Sequence, residues 1–139
     1  MIHLIKLSVG TESVGDLEDW QKLRRAQMPD GLARHVTRMW PKREAEVLDG
    51  GSIYWVIKGV ILCRQRILRL DEVTGEDGIR RCAIVLDPEI VRTAPAPRRA
   101  FQGWRYLKPG DAPPDLSNEK QNMELPPKLE LALSEIGVL

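Results

Sequence analysis

Residues 2–10, IHLIKLSVG, place Ile2, Leu4 and Lys6 on one side of an alternating pattern and His3, Ile5 and Leu7 on the other. Apolar residues on both sides predict a strand covered on both faces. After Ser13 the period lengthens. Leu17, Trp20 and Leu23 recur every three residues, the spacing of a stripe on an amphipathic helix. Ser13 is its expected N-cap. Asp16, Glu18 and Asp19 near the start and Lys22, Arg24 and Arg25 near the end suit the helix dipole. Residues 28–31, MPDG, predict a turn, and residues 35–40, HVTRMW, a second strand. Pro41 then suits the first position of a short helix in PKREAEVLDGG that closes on Gly50 and Gly51.

The run from Ser52 to Leu70 is too long for one ordinary strand, and Gly59 is expected to divide it by a bulge, bend or turn. Residues 74–78, TGEDG, predict a loop, so 60–70 and 79–87 are expected to pair as an antiparallel hairpin. Past Pro88, the prolines at 95 and 97 argue against a regular ladder over 93–97. Residues 101–107 predict a last short strand, and 109–114 an extended or turn-like segment. Leu129, Leu133 and Ile136 share one helical face. The fold expected is α+β: a small, curled, mostly antiparallel sheet or a small β-barrel, with two to three flanking helices. Residues 1–116 form its single globular domain, and 117–139 an acidic C-terminal segment with a short docking helix.

At 139 residues, 42% hydrophobic and 29% charged, the chain is long enough to bury a core. No apolar run approaches the roughly 20 residues of a membrane helix, so no membrane association is expected. With no secretory signal the expected compartment is the cytoplasm. Cys63 and Cys82 lie in apolar strand-like contexts and read as buried thiols. The net charge is +1, but it is unevenly spread. Residues 1–33 hold four basic against five acidic residues, 34–109 fifteen against nine, and 110–139 two against six. A basic middle flanked by an acidic end suits an acidic partner or an internal pairing.

Lys58, Arg64, Arg66 and Arg69 interrupt the otherwise apolar run of 50–70. Charges inside a sheet need water or an anionic partner. On one strand Arg64 and Arg66 share a face with Cα atoms about 6.6 Å apart, a spacing that suits neighbouring phosphates. Arg38, Lys42 and Arg43 stand beside Trp40, and Arg98, Arg99, Arg105 and Lys108 surround Phe101, Trp104 and Tyr106. Arginine forks onto phosphate, and aromatic faces stack on bases. The competing reading is structural: Trp20, Trp55 and Trp104 fill a core, and strand arginines pair with acids such as Asp71, Glu72 and Asp87. His3 and His35 lack a second ligand at metal-site spacing and read as satisfied strand residues. Cys63 reads as an inert thiol. Asp87, and Asp49 with Glu46, are the carboxylates best suited to acid/base work, although caps and turns explain them more simply. No catalytic set, metal site or cofactor motif is expected.

HVTRMWPKR at 35–43, GGSIYWVIKGVILCRQRIL at 50–68, CAIVLDPE at 82–89 and FQGWRYLKPGDAPPDL at 101–116 resemble the bacterial family called domain of unknown function 1489, DUF1489. That resemblance spans nearly the whole chain and implies no activity. A proline-led helix ending at Leu48-Asp49-Gly50, followed by strands that coil through a glycine, looks like the small barrel of the PUA-like superfamily, whose members often bind RNA or modified bases. The related ASCH group carries a lysine soon after that glycine and a glutamate in the next strand, where this chain has Ser52 and Tyr54 or Trp55.

The function expected is a binding module for RNA, a nucleotide or another phosphorylated ligand. Arg38, Lys42, Arg43, Lys58, Arg64, Arg66 and Arg105 would hold phosphates, with Trp40 or Tyr54 stacked on a base. A second reading is a protein-interaction or structural module without catalytic activity, whose C-terminal helix and Pro-rich segment dock on a partner or on a second copy to form a homodimer. A third is an enzyme, which a deep pocket uniting His35, Thr37, Tyr54 and Asp87 would favour.

Overall fold

A computed structural model describes residues 1–116 of the chain. The C-terminal segment and its docking helix, with the dimer contact assigned to them, lie outside these residues. The elements run β1 (His3–Leu7), α1 (Val14–Arg25), β2 (Ala33–Thr37), α2 (Glu44–Leu48), β3 (Ser52–Ile57), β4 (Val60–Thr74), β5 (Arg80–Leu86), β6 (Val91–Pro97) and β7 (Trp104–Leu107), ending in a 3-10 turn at Pro109–Asp111. The strands form one mixed sheet in the order β2-β5-β4-β3-β1-β7, with β6 pairing β4 off that path. Only β1 and β3 are parallel, and α1, β2 and α2 occupy the crossover between them.

The α+β class and the mostly antiparallel sheet agree with the sequence, but the sheet is open. Its outer strands β2 and β7 do not pair with one another, so the barrel alternative is not what forms. The sheet is nonetheless curled. His35 on β2 meets Trp55 on β3 edge-to-face at 5.8 Å between ring centroids, although β5 and β4 lie between those strands.

Gly59 divides the long apolar run by the tightest of the expected devices. Lys58 and Gly59 have φ of +52° and +80°, the two left-handed residues of a hairpin turn that matches strand twist. The β4–β5 hairpin forms in antiparallel register, with β4 extended to Thr74. The expected absence of a ladder over 93–97 is overturned, because β6 pairs with β4 from Val60↔Pro97 to Arg64↔Val91. Among the described strands β6 pairs with β4 alone, and its other side meets only the single Thr93–Asp115 bridge, so it stands at an edge, where a missing N–H is tolerated. The second strand starts two residues earlier than its predicted span and ends at Thr37, because its ladder with β5 runs from Ala33↔Leu86 to Thr37↔Cys82.

The main core lies on the side of the sheet that carries the helices, where Leu4, Val47, Ile53, Ile57, Ile67, Ile84 and Leu86 are buried. Ser13 caps α1 as predicted, its hydroxyl accepting from the Asp16 amide at 3.1 Å. The buried stripe of α1 is Val14, Leu17 and Gln21, while Trp20 and Leu23 face outward. The helix is therefore rotated from the predicted stripe, and a glutamine replaces tryptophan against the sheet. Among the described residues, no helix is long and apolar enough to cross a membrane.

Candidate functional site

A cleft of about 400 Å³ lies between α1, the end of β1 and the edge strand β2, within the size range of small-molecule sites. Alternation along β1 carries Lys6 onto the face of its cross-strand neighbour Trp55. The loop after β1 is tied by a hydrogen bond between the Ser8 and Thr11 hydroxyls at 2.7 Å. Trp20 forms a half-exposed wall, with the Arg24 guanidinium 4.9 Å above its ring.

The floor is a closed hydrogen-bond network. Gln21 and Gln65 exchange amide hydrogen bonds at 2.8 and 2.7 Å, Trp55 Nε1 donates to Gln65 Oε1 at 2.9 Å, and Gln65 Nε2 also donates to the Asp87 carbonyl at 3.0 Å. These partners satisfy the buried glutamines and hold Trp55 in place.

The rim is different. His35 Nε2 and Arg34 Nε are buried, and neither has a hydrogen-bond partner among the described residues. Arg34 uses Nη2 instead, donating to the Asp30 carboxylate at 2.7 and 2.6 Å. Burial, reinforced by the charge of Lys6, lowers the His35 pKa to about 4, so the imidazole is neutral at pH 7. Burial also lowers the Lys6 pKa. Lys6 Nζ makes one long hydrogen bond, to the Leu7 carbonyl at 3.4 Å. Among the described residues no aspartate or glutamate lines the cleft, and of its two cations Arg34 is paired with Asp30 while Lys6 is in no ion pair.

The nine residues singled out for ligand contact are distributed around the fold. Tyr54, Arg64 and Arg66 come together on the face of β3 and β4 away from the helices, but Tyr54 is only 5% exposed and stands edge-on to His3 at 5.0 Å. Arg64 is paired with Asp115, Arg43 with Glu46 and Lys58 with Glu12. Trp40 donates Nε1 to Glu44 at 3.1 Å, and Arg80 lies 4.6 Å from its ring centroid. Arg105 lies over Phe101 and donates to the Gln102 carbonyl. Arg38, Lys42 and Arg66 are exposed, and among the described residues none has a carboxylate within pairing distance. Much of the cation–aromatic interleaving of the sequence is thus internal.

The family model for a protein of unknown function, DUF1489, matches residues 4–139. The chain belongs to the DUF1489 family. No curated protein and no solved structure matches it. The chemistry of this DUF1489 protein therefore has to be read from its own residues.

Two structural expectations are corrected at the cleft. His35 is not satisfied, since Nε2 has no partner, whereas His3 is: its Nδ1 accepts from the Ser52 amide at 3.0 Å. Trp20 is half exposed rather than core, while Trp55 and Trp104 are buried as expected. Of His35, Thr37, Tyr54 and Asp87, whose union in one deep pocket would favour an enzyme, His35 alone lines the cleft among the described residues. Asp87 instead closes a turn by accepting from the Glu89 amide at 2.9 Å. Cys63 and Cys82 are free and buried, with pKa values pushed up by desolvation to about 12 and about 11, which makes both poor nucleophiles. Lys6, Trp20 and His35 were visible in the sequence as types, but no spacing rule joined them.

Proposed function

We propose that this DUF1489 protein is a binding module for a nucleotide or a similarly small phosphorylated ligand, seated in the cleft. The observation that carries this reading is the cleft itself, where, among the described residues, Lys6 and two unpartnered buried nitrogens stand beside a half-exposed tryptophan with no lining carboxylate. Lys6 would meet the phosphate, while Trp20 and the neutral His35 would meet a flat ring and its polar edge. The scattered and largely paired cations favour a small ligand over a long RNA track.

Calorimetric titration with the four ribonucleoside 5′-monophosphates, and with RNA oligomers of increasing length, tests this. At least one mononucleotide is expected to bind, and Lys6→Gln to weaken it about tenfold or more, the worth of one charge-assisted hydrogen bond. Affinity that appears only with longer RNA would transfer the function to the exposed cations Arg38, Lys42 and Arg66. Mononucleotide binding untouched by Lys6→Gln would remove the cleft from the reading.

A further inference from the structure

The face of the sheet away from the helices carries a second polar cluster. Ser52 lies opposite Arg66 and Tyr54 opposite Arg64, so all four side chains leave the same face. Arg64 Nη1 donates to Ser52 Oγ at 3.0 Å, which leaves the serine its own proton to donate. The other edge of the guanidinium, Nε and Nη2, donates to Asp115 Oδ1 and Oδ2 at 2.8 and 2.7 Å. This two-point grip is the one arginine gives a phosphate or a carboxylate.

Asp115 is not part of the sheet body. Its segment is laid along β6 by a single bridge, Thr93 to Asp115, and by two backbone hydrogen bonds, Ala94 N to the Pro114 carbonyl at 2.8 Å and Leu116 N to the Arg92 carbonyl at 2.9 Å. Among the described residues the charges do not balance. Arg64 and Arg66 bring two positive charges to adjacent positions on this face, and Asp115 brings one negative charge. Glu89 acts on Arg64 only through space. A phosphate at neutral pH carries close to two negative charges, a closer match than the carboxylate that holds the place.

We propose that Arg64, Arg66 and Ser52 form an oxyanion seat, occupied by the chain's own Asp115 carboxylate and open to a phosphate group that displaces it. The seat is separate from the cleft and does not depend on it. Displacement moves the 112–116 segment off β6, so occupancy by phosphate and docking of that segment exclude one another.

The full chain and its Asp115→Asn variant, titrated with inorganic phosphate at constant ionic strength, test the seat. Asp115→Asn is expected to bind at least tenfold more tightly than the wild type, and Asp115→Asn/Arg64→Gln to lose the gain. Equal affinity in wild type and folded Asp115→Asn overturns the proposal. If Asp115→Asn does not fold, the wild-type melting temperature is compared in phosphate and in chloride of equal ionic strength. A rise in phosphate that is absent from Arg66→Gln supports the seat, and no rise in the wild type overturns it. The same titrations in Lys6→Gln separate the two sites, because phosphate binding that vanishes with Lys6 belongs to the cleft and counts against the seat.

Discussion

Arg64, on the face away from the helices, uses both edges of its guanidinium, on Asp115 and on Ser52. In the cleft, His35 Nε2 and Arg34 Nε are equally hidden from water and make no hydrogen bond. The first region is dense in charge and largely settled within the chain. The second is sparse in charge and unsettled, and a buried polar atom without a partner costs about 1–3 kcal/mol. Charge density in a sequence therefore points to where internal pairing is available, while capacity for a ligand lies where pairing is incomplete. Trp40 and Trp20 repeat the contrast: an arginine lies over each ring, but the first is half-buried and tied through Nε1 to Glu44, while the second is half exposed at the cleft wall.

The largest effect is expected at the cleft floor, the part of that region closed by hydrogen bonds within the chain. Gln65→Leu leaves the Gln21 amide, Trp55 Nε1 and the Asp87 carbonyl without their partner, three buried groups at once. Urea unfolding should show a loss of about 3–5 kcal/mol. A loss below about 1 kcal/mol would mean that the floor is not pre-organised, and the contrast between floor and rim would collapse.

A pH titration of stability probes the rim. The His35 imidazole is held at about 4 in the folded chain, from an ordinary value of 6.5, first by burial and then by Lys6. The unfolded chain therefore takes up the proton first, and stability falls as pH drops from about 6.5 towards 4, then levels. The span corresponds to about 3 kcal/mol. His3 adds a loss of the same sign, through its own burial and then Arg64. Asp30, held at about 2 by the Leu32 amide and then Arg34, adds its loss only as pH falls below about 4. Unfolding measured between pH 7 and 4 should flatten in His35→Gln, and an unchanged slope would show that the imidazole is not buried neutral.

Local devices were the legible part of this fold. Ser13 as a cap, Gly59 as a divider and the β4–β5 hairpin depend on neighbours in the chain, and all three formed. The ladder of β6 was not legible, because prolines argue against a strand until the strand is known to lie at an edge. Nor was the Gln21–Gln65 pair, whose members stand 44 residues apart. Its effect on α1 is instructive. A glutamine with a waiting amide partner displaced tryptophan from the buried stripe, and so left Trp20 at the cleft wall. Arg64 and Arg66 were rightly placed on one face, but the carboxylate that pairs with Arg64, Asp115, lies 51 residues from it in the chain.

Lys58 gives the smallest effect and the cleanest separation of a structural cation from a binding one. It sits at φ +52° in the β3–β4 turn, and its ammonium group reaches Glu12 at 3.2 Å while remaining largely exposed. Asparagine before glycine is the preferred pair for this turn. Lys58→Asn should therefore stabilise the chain by about 0.5 kcal/mol through the backbone alone, read as a small rise in melting temperature. Mononucleotide affinity should stay at the wild-type level, since Lys58 does not line the cleft. A stabilised variant with weakened ligand binding would return Lys58 to the phosphate-holding set, and would place the ligand on the turn side of the sheet rather than beside Lys6.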